Sequence, residues 1–178
     1  MRFIVAILLS LALPAAHCAA QTWETVKPDG LGVSVEFPGK PEYTEMKDDL
    51  GDGTSGLIRT YVVKSSAAAY DVTIYDLPKE GVGPDDIDRV LDNMRDRTIA
   101  GVSGELRAET KIEMGGHKAR ELTADVMGIV WRSKIVIANN KLYQIVAIVS
   151  KAAERSETTE KYMGSFNLLE GSSSGPKK

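Results

Sequence analysis

The chain has 178 residues, 43% of them hydrophobic and 26% charged, which is the size and make-up of one ordinary globular domain. Its net charge of −3 and pI near 5.5 give no electrostatic basis for nucleic-acid binding. With a single cysteine, Cys18, the chain cannot close an internal disulfide.

Residues 1–20, MRFIVAILLSLALPAAHCAA, combine Arg2, an apolar run from Phe3 to Leu13, Pro14 and then small residues, the layout of a secretory signal peptide. The run is too short to span a bilayer, no later segment is long enough either, and cleavage is expected after Ala20. A lipoprotein would instead keep Cys18 as its acylated first residue, and His17 just before it argues against that. The expected location is therefore periplasmic or secreted. One domain is expected over residues 21–169, followed by a disordered tail, 170–178, with no apolar residue.

From Thr22 onward the apolar period is mostly two, which indicates strands. TWETV, the turn residues Pro28, Asp29 and Gly30, and GVSVEF with Val33, Val35 and Phe37 on one face predict a hairpin bounded by Pro38 and Pro41. KDDLGDGTSG carries three aspartates, but as a calcium loop it would place Leu50 and Arg59 where oxygen ligands are required, so it reads as a solvated loop. GLIRTYVVK and AYDVTIYDL predict two more strands. Ile87, Val90, Leu91 and Met94 then recur at helical spacing behind Pro84, Asp85 and Asp86, and Gly101 can end the helix. Four further strands and a second helix over about 151–163, with Ala152, Ser156, Thr159 and Met163 inward, complete an order of four strands, helix, four strands, helix.

In IVWRSKIVIANNKLYQIVAIVS, Asn139 and Asn140 suit a two-residue turn with positive φ. That register sets Trp131 against Ile148 and Val136 against Tyr143, so both faces are apolar and the hairpin should lie centrally, covered on both sides. In GGHKAREL, a two-residue loop would oppose Lys111 to Arg120 and put Glu121 on the face of Ile112. A three-residue loop, Gly115 to His117, opposes Lys111 to Glu121 instead, and this arrangement is expected, with His117 at the loop tip.

No catalytic residues emerge. His117 is the only histidine after residue 20, no G-x-S-x-G elbow occurs, and one histidine cannot build a zinc centre; no metal or cofactor site is expected. Arg132 and Lys134 share a strand face with Tyr143, and long cations beside an aromatic could hold an anionic group, which makes these three the candidate ligand-binding residues. The alternative is that both cations snorkel from beneath a helix or pair with acids such as Asp88 or Asp92. The expected function is a non-enzymatic extracytoplasmic binding or assembly module for an unknown protein or small amphiphile. The competing readings are a carboxylate-dependent hydrolase of the envelope, since acids are plentiful, and a purely structural envelope component.

Trp23, LGVSVEFPGKP at 31–41, GGHKAREL at 115–122, WRSKIVIANNKLYQIVA at 131–147 and SFNLL at 165–169 together resemble a group of exported bacterial proteins of unknown function, themselves similar to the PsbP-like fold. The resemblance implies an α+β fold, a mostly antiparallel central sheet sandwiched between helices. Proteins of that fold act as photosystem assembly subunits, GTPase binders or chaperone-like adaptors, roles that attach to no particular residue of this chain.

Overall fold

The computed structural model describes residues 22–169 apart from 50–54 and 79. The signal-like segment 1–20, the centre of the aspartate-rich loop and the tail 170–178 lie outside the described residues. Ten strands and two α-helices follow in the order β1 (Glu24–Val26), β2 (Val33–Phe37), β3 (Glu42–Asp49), β4 (Ser55–Lys64), β5 (Ala68–Asp76), α1 (Ile87–Gly101), β6 (Glu105–Met114), β7 (His117–Val126), β8 (Ile129–Ala138), β9 (Lys141–Ser150), α2 (Glu157–Ser165) and β10 (Asn167–Leu168).

Strands β3 to β9 build one antiparallel sheet in the order β3-β4-β5-β9-β8-β7-β6, and β1, β2 and β10 a small second sheet. The β8–β9 hairpin turns at Asn139 and Asn140, with φ of 51° and 58°, and pairs Trp131 with Ile148 and Val136 with Tyr143 as the sequence indicates. It lies at the middle of the sheet, and Trp131, Val136, Leu142 and Tyr143 are all buried.

Each face of the sheet has its own core. On the face of Arg132, Tyr70, Val72, Ile74, Val136, Tyr143 and Ile145 pack beneath Val33, Val35 and Phe37 of β2 and Tyr162, Met163 and Phe166 around α2. On the face of Trp131, Leu122, Ala124, Ile135, Leu142 and Val146 pack against Leu91 of α1. A sheet held between helices therefore overstates the architecture. One face is covered by α1, the other mainly by a second sheet, because β2 alternates buried and half-buried residues and can lay an apolar row on the main sheet.

Three further expectations are corrected. Five strands precede α1, because β3 forms where the sequence reads as loop. The second helix is shorter: Lys151–Ala153 is a separate 3-10 turn with Ala152 exposed, and α2 begins after Ser156, whose hydroxyl caps the Thr159 N–H. Finally, the β6–β7 hairpin turns on two residues. Gly115 and Gly116, with φ of 55° and 76°, form the turn, His117 is the first residue of β7 opposite Met114, and Lys111 does oppose Arg120. Glu109 within the hairpin, together with partners beyond it, relieves both conflicts. Arg120 is held by Glu109, Asp88 and Asp92, and Glu121 meets Arg132 on the neighbouring strand.

Candidate functional site

Arg132, Lys134 and Tyr143 do share one face, and each is engaged by the layer above it. Arg132 is 1% exposed; its guanidinium donates to Glu160 Oε1 at 2.8 Å, the Glu154 carbonyl at 2.9 Å and Glu121 Oε1 at 3.1 Å. Lys134 Nζ donates to the Met163 carbonyl of α2 at 3.0 Å, and Tyr143 Oη donates to the Leu31 carbonyl at 2.7 Å. Burial pushes the Tyr143 hydroxyl up to about 12. Burial acts to raise Glu160 as well, but hydrogen bonds from Arg132 and Arg155 outweigh it and hold that carboxyl below its ordinary value. Asp88 and Asp92 pair instead with Arg120, on the opposite face.

Arg120 is likewise 1% exposed and fastens α1: its guanidinium bonds Asp88 and lies 3.5 Å from Asp92 and 3.2 Å from Glu109. Hydrogen bonds from Arg120 and Lys118 hold Asp88 down at about 2. Arg95 extends the seam to Asp92, Asp96 and Glu109. Most acids near α1 are thus spent as partners of arginine.

Asp71 on β5 behaves differently. Burial raises its carboxyl to about 6, and a hydrogen bond from Thr73 offsets only part of that. Its surroundings are mostly uncharged, with Lys64 the nearby cation: Thr60 and Thr73 share a hydrogen bond, Tyr75 Oη donates to Gln144, and Gln144 donates to Thr98 of α1. Among the described residues it is the only carboxyl with a clear upward shift, and no second carboxylate is hydrogen-bonded to it.

Along the same edge of α1 runs an open cleft of about 370 Å³, at the small end of ligand-binding volumes. Its wall is apolar, from Tyr75, Leu77 and Leu142 on the sheet side and Val90 and Met94 on the helix. Two acids line it. Asp76 is neutralised by Arg59, Lys141 and the Leu57 N–H, while Asp48 stands on the β3 side. Arg97 is exposed at the helix side, with no hydrogen bond or ion pair to any described residue. Sequence reasoning missed it because one arginine on the charged face of a helix looks like its neighbours; only the packing shows which of them lack an acid. Beside the small sheet, a depression of similar volume is lined by Thr25, Ser34, Glu36 and Ser165, and the Ser165 hydroxyl is already bonded to β2 and α2. No cluster of metal-ligating side chains occurs among the described residues.

No protein-family model and no curated protein matches the chain. Among solved structures, it is similar to the solution structure of cyanobacterial PsbP from Synechocystis sp. PCC 6803, with a TM-score of 0.56 at 10% identity over 89% of this chain and 99% of that one. A Pseudomonas aeruginosa protein of unknown function, PA94, is aligned over 74% of this chain and 85% of its own at 13% identity, with a TM-score of 0.37. The first likeness shows a PsbP-like, mostly antiparallel fold, and at this identity it speaks for the fold alone. Among the described residues, no helix is long and apolar enough to cross a membrane.

Proposed function

We propose that the protein is a non-enzymatic binding or assembly module that works outside the cytoplasm and holds an amphiphilic ligand in the cleft beside α1. The observation that carries this reading is the pairing of an apolar wall, Val90, Met94, Leu77 and Leu142, with a guanidinium at Arg97 that has no partner among the described residues. Asp76 is neutralised and Asp48 stands on the β3 side, so the apolar wall beside Arg97 on the helix side suits a ligand that is greasy at one end and anionic at the other. Arg132, Lys134 and Tyr143 act in this reading as internal fasteners, and recognition falls to Arg97. The signal-like pattern of residues 1–20 supports the location.

A carboxylate-dependent hydrolase has less support: a carboxylate-pair mechanism needs two interacting acids, and among the described residues no other carboxyl acts on Asp71. Titration with decanoate, followed by backbone amide shifts, tests the proposal. Saturable shifts at Val90, Met94 and Leu142 are expected, with affinity falling roughly tenfold in Arg97→Ala, the worth of one charge-assisted contact. Shifts scattered over the surface, or an Arg97→Ala variant that binds equally well, would sink it. Intact mass of the exported protein tests the location: a chain starting at Gln21 is expected, and an acylated Cys18 would overturn it.

A further inference from the structure

The seven-stranded sheet ends in two edges of unlike build. At the β6 edge the register slips between Leu106 and Ala108, and Arg107 at that irregularity is tied to Glu154 and Asp125, a local break of the sort that blunts pairing with another chain. The β3 edge has no such device. Eight residues run in unbroken register with β4, from Glu42 opposite Val62 to Asp49 opposite Ser55, and Pro41 lies just outside the strand. Among the described residues β3 pairs with β4 alone, so its outer row of N–H and C=O groups has no strand partner. Two large apolar side chains stand out from it on opposite faces, Met46 at 60% and Tyr43 at 49% exposure. The strand is also acidic: Glu42, Glu45, Asp48 and Asp49 against Lys47. Glu45 is partly engaged by Arg59 and Tyr43, while Glu42 has no partner among the described residues.

We infer that β3 is a strand-addition site which takes an extended segment of a partner polypeptide with alternating basic and apolar residues. The free backbone row supplies the affinity in such pairing, and alternate side chains select the sequence. Cations on the incoming strand would face the acids of β3 across the ladder, and its apolar residues would cover Met46 or Tyr43. Charge argues against a second copy of this chain as the occupant, because an acid-rich strand laid on itself sets like charges opposite each other. This site shares Asp48 with the rim of the α1 cleft but rests on the free edge of β3, and it stands if that cleft binds nothing.

The test uses the full chain and an amidated, acetylated octapeptide of alternating lysine and valine. Expected are amide shifts and slowed amide exchange confined to β3 and the adjoining residues of β4. Methylation of alternate peptide nitrogens should abolish binding, and Glu42→Lys, which leaves the α1 cleft untouched, should weaken it by about threefold while the circular dichroism spectrum stays unchanged. Three results would each overturn the inference: β3 amides unmoved at millimolar peptide, equal binding of a glutamate–valine octapeptide, or binding that survives backbone methylation and so is only charge attraction. Shifts confined to Val90, Met94 and Leu142 would overturn the strand site while leaving the cleft reading in place.

Discussion

On the face that carries Arg132, five aromatic rings fill the space between two sheets: Phe37 and Tyr70 lie 5.5 and 5.0 Å from Tyr162, and Tyr143 meets Phe166 edge-on at 5.9 Å. Two tyrosine hydroxyls in that layer end on main-chain carbonyls, Tyr143 on Leu31 and Tyr162 on Asp71, and that of Tyr70 meets the Thr159 hydroxyl. On the face that carries Arg120, α1 buries Leu91 completely and packs Ile87, Val90, Met94 and Ile99 partly against the sheet, with a charged seam along one flank and the cleft along the other. Rings and main-chain bonds make a layer that moves only as a whole. A single apolar stripe with an ionic hem allows one helix to shift while the sheet beneath it stays closed, and that is the side on which a ligand could be admitted.

The contrast can be broken most directly through its cores. Tyr162→Ala and Trp131→Ala should each cost about 3–5 kcal/mol, since both remove a large buried aromatic. Leu91→Ala should cost about 2–5 kcal/mol and act differently: native-state hydrogen exchange should show α1 opening ahead of the sheet, whereas Tyr162→Ala should lower protection throughout. If α1 stays as protected as β9 in Leu91→Ala, the two faces are equally tight and the comparison fails.

A smaller effect separates arginine from acid. Replacing both Glu121 and Glu160 by glutamine leaves the Arg132 guanidinium buried with no anion and should cost about 3 kcal/mol. Arg132→Leu releases two half-exposed glutamates to water and should cost about 1–2 kcal/mol. Urea denaturation that finds the arginine variant the worse of the two would show that the guanidinium is not the costly buried charge.

Smaller again is a pH effect at Asp71. Its folded carboxyl sits at about 6 against 3.8 for the free group, so the folded state binds the extra proton between those values. Stability from this group is greatest at low pH and is lost as pH rises through 6. Asp71→Asn should therefore gain on the order of 1–2 kcal/mol over the parent at pH 7, and the gain should shrink toward pH 4. A difference between the two that does not change from pH 4 to pH 7 would refute the assignment. Smallest is His117→Ala, expected within about 0.5 kcal/mol because the residue is exposed beside a turn.

What could be read from the sequence follows from where the apolar signal is strong. The Asn139-Asn140 turn fixed the register of β8 and β9 in advance, because the turn chemistry and both apolar faces agree. In α1 the spacing of Ile87, Val90, Leu91 and Met94 marks the inward side. Strand β3 was illegible for the reason that makes it interesting: an edge exposed on both faces has no apolar alternation to display. The Gly115-Gly116 turn was misjudged because only directly opposed residues of the hairpin were weighed, while Arg120 pairs with Glu109 and with α1, and Glu121 with β8. Arg97 could not be singled out, since a vacancy in an ion-pair network is a property of packing.

The small sheet has a consequence for the order in which the molecule can be completed. β2, near the beginning of the described chain, takes β1 on one side and β10 on the other, so Ser34 waits for Asn167, 133 residues later in the numbering. Until residue 168 has emerged, α2 and β10 cannot press β2 onto the aromatic face, and the rings of Tyr70 and Tyr143 lack their lid. The meander β6 to β9, by contrast, pairs each strand with the one made just before it. While α2 and β10 are still missing, the main sheet has one greasy side open, so the aromatic face is the last part of the described fold to close.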